Sequence, residues 1–230
     1  FFFKQKTAYE IPKRDWSSDV CSSDLDIVVL VVDASVGATD QDAAIAGEAD
    51  KAGRGVIIVA NKWDLMKDRG PEFVKEFDEN LRRQLKFLDY APVLHISAAT
   101  GERAPKLLEM IDKVGESRRK RVKTPELNRF VQGVTAAHPP ASPGKHHVRV
   151  LYAAQTAVAP PTFVFFTNVA TQFHFSYQRF LLNQIRDAFG FLGTPIRLHV
   201  RRRGRARGED EEAATARPRR TRPRAKRPSR

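Results

Sequence analysis

Three apolar runs constrain this chain more than any other feature: DIVVLVVD at 26–33, GVIIVANK at 55–62 and PVLHISA at 92–98. An unbroken β-branched run has no polar face, so each reads as a strand covered on both sides. Helix-prone segments separate them. Thr39 to Lys51 is Ala-rich, with an N-cap at Thr39 or Asp40. Phe73, Phe77, Leu81, Leu85 and Leu88 recur near helical spacing and predict a helix over about 72–87, and Lys106–Arg121 predicts another with a basic end. Strand, helix, strand, helix, strand, helix requires crossover connections and parallel pairing. The expected fold class is therefore α/β: part of a doubly wound parallel sheet over residues 26–121, with its first strands cut away.

The pattern changes at Thr124. TPELNRFVQGVTAA reads as a helix with Thr124 as N-cap and Pro125 at the first helical position. His138-Pro139-Pro140 and Ser142-Pro143-Gly144 mark a loop. Strands are expected at 147–155, 162–168 and 194–203, with Pro160-Pro161 turning the chain between the first two. Tyr177, Phe180, Leu181, Ile185, Ala188 and Phe189 mark one face of a helix ending at Gly190. Residues 122–203 thus form a compact α+β unit. The remainder, 204–230, has no apolar pattern and is expected to be disordered. Of the formal net charge of +13, residues 201–230 supply +9, so the body is only mildly basic. No run approaches the apolar length of a membrane span, and a single cysteine excludes an internal disulfide.

Residues 1–25 fit neither pattern. They lack an apolar face, lack the core of a secretory signal, and carry too many acids for a transit peptide. The stretch resembles a translated sequencing adaptor, and we set it apart as foreign to the fold. The expected consequence is that the native N-terminus is missing and the body starts mid-domain.

Asn61-Lys62-Trp63-Asp64 closes the second strand at its C-terminal end, the edge where open α/β sheets bind ligands. An Asp carboxylate there can accept from both N1–H and the exocyclic amine of guanine. The Lys stem can lie along the purine, and the Asn amide can tie loops or reach the base. After the next strand comes Ser97-Ala98-Ala99, where a backbone N–H can donate to guanine O6 and a small side chain lets the base approach. N-K-x-D alone is short, and capping by Asn61 or Asp64 explains it equally well. Combined with Ser97-Ala98 after the following strand, it is similar to the fourth and fifth guanine-binding motifs of the P-loop GTPases.

With these motifs, GRGVIIVANKWDL, FLDYAPVLHISAATG, TPELNRFVQG, APPTFVFFTN and FSYQRFLLNQIRDAFGFLGTPIRLHVRRR resemble the Der (EngA) ribosome-assembly GTPases from about Asp26 to Arg203. The resemblance implies two tandem GTPase domains followed by a KH-like domain, of which this chain would hold half of the second GTPase domain and the KH-like domain. It implies guanine recognition by Asn61, Lys62 and Asp64, with Ser97 and Ala98 as the supporting loop. It also implies GTP and Mg²⁺ as cofactors of the full-length parent, the large ribosomal subunit and its RNA as partners alongside the other GTPase domains, and a cytoplasmic location. No G-x-x-x-x-G-K-[ST] occurs in the 230 residues, so the phosphate cradle and its metal-binding hydroxyl are absent from them. The chain alone is expected neither to hold GTP tightly nor to hydrolyse it. One rival reading makes 122–230 a stand-alone KH-like RNA-binding module without nucleotide function; another makes the chain a protein-binding scaffold.

Other motifs read more plainly. Asp33 ends its strand like a Walker B Asp but reads as structural. Gly190-Phe191-Leu192-Gly193 matches the GXXG of RNA-binding KH modules, yet it joins a helix to a strand and is explained by cap and turn chemistry. His138, His146 and His147 read as solvated loop residues, and His174 and His199 as structural or surface ones. Phe163, Phe165, Phe166, Phe173 and Phe175 are candidates for base stacking, with core packing the better use for most. Arg201, Arg202, Arg203, Arg205, Arg207 and the basic cluster at 217–230 would attract phosphate backbones.

Overall fold

The computed structural model describes residues 25–141 and 147–203. Two three-stranded sheets carry the chain. The first contains β1 (Ile27–Asp33), β2 (Gly55–Asn61) and β3 (Val93–His95), all parallel, in that order. Helices α1 (Asp40–Lys51), α2 (Gly70–Gln84) and α3 (Ala104–Arg119) connect or follow these strands. The strand β2 shows why the apolar run had no polar face. Val56, Ile58 and Ala60 pack with α1 and α2 residues such as Ala46, Phe77 and Leu81, whereas Ile57 and Val59 pack with Val114 of α3 on the other side. Each large aliphatic chain so buried stabilises the fold by roughly 1.5–3 kcal/mol.

The second sheet holds β4 (Val150–Val158), β5 (Pro161–Thr167) and β6 (Arg197–Arg202). Its β4–β5 pair is antiparallel and its β5–β6 pair parallel. Helices α4 (Thr124–Ala137) and α5 (Phe175–Phe189) cover one face, burying Leu127, Val131, Phe163, Phe165, Leu181 and Ile185. Among the described residues, no helix is long and apolar enough to cross a membrane.

Several boundaries differ from expectation for identifiable reasons. At Thr39 the capping box is complete: its hydroxyl accepts from Asp42 N–H, and the Asp42 carboxylate accepts from Thr39 N–H at 2.8 Å. The α2 helix ends at Gln84 instead of about 87, because Leu85 leaves helical geometry (φ −107°, ψ 47°) and Lys86–Leu88 tighten into a 3₁₀ turn. Leu85 and Leu88 stay fully buried, so the apolar period outlives the helix. Thr124 is not the cap of α4. Lys123 holds that position in extended geometry, and Pro125 falls within the first turn, where its missing N–H costs nothing. The α3 helix likewise starts and stops two residues earlier than expected, with Pro105 in its first turn. Strand β4 runs to Val158, later than expected, because its pairing with β5 continues to Val158–Pro161 beside the Ala159-Pro160 turn.

The two sheets are joined by more than their linker. Gly193 O accepts from Val56 N–H at 2.7 Å, and Gly193 N–H donates to Tyr90 O at 3.1 Å. Ser117 Oγ donates to Gly190 O (2.9 Å), Lys120 Nζ to Phe189 O (2.7 Å) and Arg197 to Lys51 O (2.7 Å). The Arg186 guanidinium lies 4.6 Å from the Tyr90 ring centre, and Tyr90 OH donates to Asp50 at 2.6 Å. Burial first, then that bond, pushes the Tyr90 phenol far above its ordinary range, so it remains a donor. All of these contacts gather at the end of the parallel sheet where β2 begins.

Candidate functional site

The opposite end of the sheet carries the residues singled out for base recognition. Asn61 is the last residue of β2 and Lys62 follows it in the left-handed region (φ 64°), an uncommon conformation for a side-chain-bearing residue. That turn ends the strand and starts the 3₁₀ segment Trp63–Arg69, in which Asp64 lies. Trp63 anchors the turn. Its N–H donates to Ile96 O at 3.1 Å, and its ring packs on His95 (4.0 Å between centres) and edge-on to Phe77 (5.3 Å). His95 is held in turn by Asp78 at 2.8 Å.

Asn61 and Ala98 are brought together. Asn61 Oδ1 accepts from Ala98 N–H at 2.9 Å, tying the end of β2 to the loop after β3. The buried Ser97 shapes that loop from inside: its Oγ accepts from Thr100 N–H at 3.2 Å and its N–H donates to Glu102 O at 3.1 Å. Lys62 Nζ pairs with Asp33 at 2.5 Å, and Ser35 Oγ donates to the same carboxylate at 2.6 Å. The Lys62 bond first, then Ser35, hold the Asp33 carboxyl below its ordinary value. Asp33 is thus structural in a specific way: it fixes where the Lys62 side chain lies. Sequence reasoning missed that link; Ser35 two residues after a strand-ending Asp is the local signal for such a turn.

Asp64 is different. Its Oδ1 is buried and has no hydrogen-bond partner. A buried carboxylate oxygen left unpaired costs roughly 1–3 kcal/mol or more, which makes it a place where a ligand donor would be rewarded. The described residues include no cluster of His, Cys, Asp or Glu suited to a metal, and the 230-residue sequence has no phosphate-loop motif; no residue here is assigned to Mg²⁺ or to the phosphates.

The remaining candidates lie elsewhere. Arg201 and Arg202 end β6 and Arg203 follows, all exposed and on the other sheet; Arg205, Arg207, the 217–230 cluster and His146 fall outside the described residues, as do the 1–24 and 204–230 segments. The loop from Gly190 to Gly193 is occupied by the contact between the sheets. Gly190 (φ 67°) caps α5 and Gly193 (φ 61°) packs against Val114 and Pro92, so the cap-and-turn reading is the one the geometry supports. Phe163, Phe165 and Phe173 are core, Phe166 is partly exposed, and Phe175 is exposed. His174 caps α5, its Nδ1 accepting from Ser176 N–H at 3.3 Å.

Comparison with known proteins agrees with this layout. A family model described as the KH-domain-like C-terminal domain of EngA bacterial GTPase enzymes matches residues 121–201, and one described as the elongation factor Tu GTP binding domain matches residues 14–117. Curated relatives named GTPase Der are similar over most of the chain. That of Lactobacillus johnsonii is 46% identical over 178 residues, 77% of this chain and 41% of the relative. That of Moorella thermoacetica is 48% identical over 182 residues (79% and 41%), and that of Citrifermentans bemidjiense 45% over 203 (87% and 46%). The chain spans less than half the length of these relatives. Its first sheet and helices are part of a GTPase α/β fold and its second sheet is the KH-like unit that follows. The chain belongs to the Der (EngA) GTPase family.

Proposed function

We propose that this chain carries the guanine-reading side of a GTPase nucleotide site, and that the whole protein hydrolyses GTP as a cytoplasmic factor in large ribosomal subunit assembly, with ribosomal RNA as its partner. The observation that carries the nucleotide reading is the unpartnered Asp64 Oδ1, three residues after the Asn61 that is tied to Ala98. In this reading Asp64 accepts from guanine N1–H and N2–H, and the Ala98 N–H, held in place by Asn61, faces O6. The Lys62 stem, steered by Asp33, lies along the purine. Adenine offers neither donor pair nor O6, and its entry would leave Asp64 unpaired; mismatches of this kind give large discrimination. Phosphate and Mg²⁺ contacts belong to parts of the family's fold that no motif in these residues supplies. The docking of Gly193 against β2 and Tyr90 argues against a free-standing KH-like module.

The test is nuclear magnetic resonance of the chain titrated with guanosine, adenosine and xanthosine. Guanosine should shift the amides of Asn61, Asp64 and Ala98 in a saturable way, adenosine should not, and Asp64→Asn should move the preference from guanosine toward xanthosine. Equal responses to guanosine and adenosine would sink the assignment.

A further inference from the structure

We infer that the open face of the second sheet is a stacking platform for single-stranded RNA, centred on Tyr152, Phe166 and Arg201. The inference rests on the reading that the partner is RNA and says where on this chain it docks. Helices α4 and α5 cover only one face, and Phe163, Phe165, Leu198 and Val200 point into it. The alternate residues point the other way; Val164 among them is buried, and Phe166 in the neighbouring row is partly exposed. Across the strands, Tyr152 is paired with Phe166, and Phe166 with Arg201, in one continuous row. The register shift between Val150 and Tyr152 turns both Leu151 (37% exposed) and Tyr152 (39% exposed) outward. Tyr152 and Phe166 are stacked, 4.4 Å between ring centres and 15° between planes, which presents a pre-ordered aromatic surface.

Charge selects the occupant. Residues 121–203 contain eleven Lys and Arg but only two acids, Glu126 and Asp187, both on helices. No acid lies in β4, β5 or β6, and the exposed Arg201 closes the aromatic row, whereas Arg202 pairs with Thr167 and alternates to the other face. An aromatic pair flanked by the Arg201 guanidinium and free of carboxylates matches a chain of bases on a phosphate backbone. A duplex keeps its bases stacked on one another and cannot use the rings. The Gly190–Gly193 loop is unavailable for clamping a backbone, because both glycine carbonyls already accept bonds from the first unit.

The full chain would be irradiated with a short single-stranded RNA carrying 5-iodouridine, and the adduct located by mass spectrometry. Adducts at Tyr152 or Phe166 are expected. In anisotropy titrations Tyr152→Ala should weaken single-strand binding about tenfold while Tyr152→Phe retains it, and duplex binding should be unaffected by either. Adducts confined to 204–230, or unchanged binding in a folded Tyr152→Ala chain, would overturn the platform and leave RNA as partner. No RNA binding even at low salt would overturn the partner reading as well. Concentration-dependent dimerisation abolished by Tyr152→Ala, without effect on RNA, would give the face to a second copy of the chain and also overturn the proposal.

Discussion

Replacing Gly193 by alanine tests how the KH-like unit is held to the parallel sheet. An added Cβ would lie 2.6 Å from Val114 Cγ2, 3.1 Å from Val114 Cγ1 and 3.2 Å from Pro92 Cδ, with the backbone at φ +61°. Left-handed geometry costs a residue with a side chain roughly 1–2 kcal/mol, and overpacking a tight site about 1–3 kcal/mol. If the loop withdraws to escape the clash, it loses the bonds to Val56 and Tyr90 instead, about 1 kcal/mol each. Compression thus destabilises by about 2–5 kcal/mol and withdrawal by about 2 kcal/mol, which for a chain of this size lowers Tm by roughly 4–20 °C. The two routes separate by hydrogen exchange: withdrawal exposes the Val56 amide, compression does not. Gly190→Ala is the matched control. It has the same sign of φ (+67°) but nothing within 4 Å of the added carbon, so only the left-handed cost applies. An unchanged melting temperature and unchanged Val56 protection in Gly193→Ala would refute the claim that this glycine is a docking point.

Asn61→Ala removes the acceptor for Ala98 N–H and should speed exchange of that amide while lowering stability by about 1 kcal/mol; exchange rates matching the parent chain would count against the tie. Asp33 has a lowered carboxyl pKa, so its pairing with Lys62 contributes fully above its ordinary value of 3.8 and is lost as pH falls through the lower folded value. Acid unfolding of Asp33→Asn should therefore show a shallower dependence on pH in that range, and identical acid limbs would disprove the coupling.

Much of this arrangement was legible beforehand because it is local. The strand β2 announces itself by six consecutive residues suited to burial on two faces, and the sequence places the cap of α1 at Thr39 or Asp40, of which the structure takes Thr39. The pairing of Asn61 with Ala98 was legible only as a motif pair, since nothing in either segment reports the 2.9 Å contact. What stayed hidden depends on partners far along the chain. Gly193 looks like a turn residue until Val56 and Tyr90, each about a hundred residues or more away, are brought against it. Likewise Phe163 and Phe166 are indistinguishable in sequence, and only the pleat sends one to the core and the other to the open face.

The orphaned Asp64 oxygen and the saturated Gly193 backbone show why these two ends of the molecule differ in character. At the docking end every polar group described for Gly193 has a partner, and its lack of a side chain is what permits the approach; such a contact is stable without anything added. At the other end β2 stops, Lys62 turns through left-handed geometry, and a carboxylate oxygen is buried without a donor. Folding alone gives no return for that burial, since no hydrogen bond offsets the lost hydration of this oxygen. Buried guanidinium nitrogens of Arg54 and Arg186 also lack partners at the docking end, but an unsatisfied carboxylate acceptor on the ligand-binding edge of a parallel sheet is the one that a donor from outside can reward.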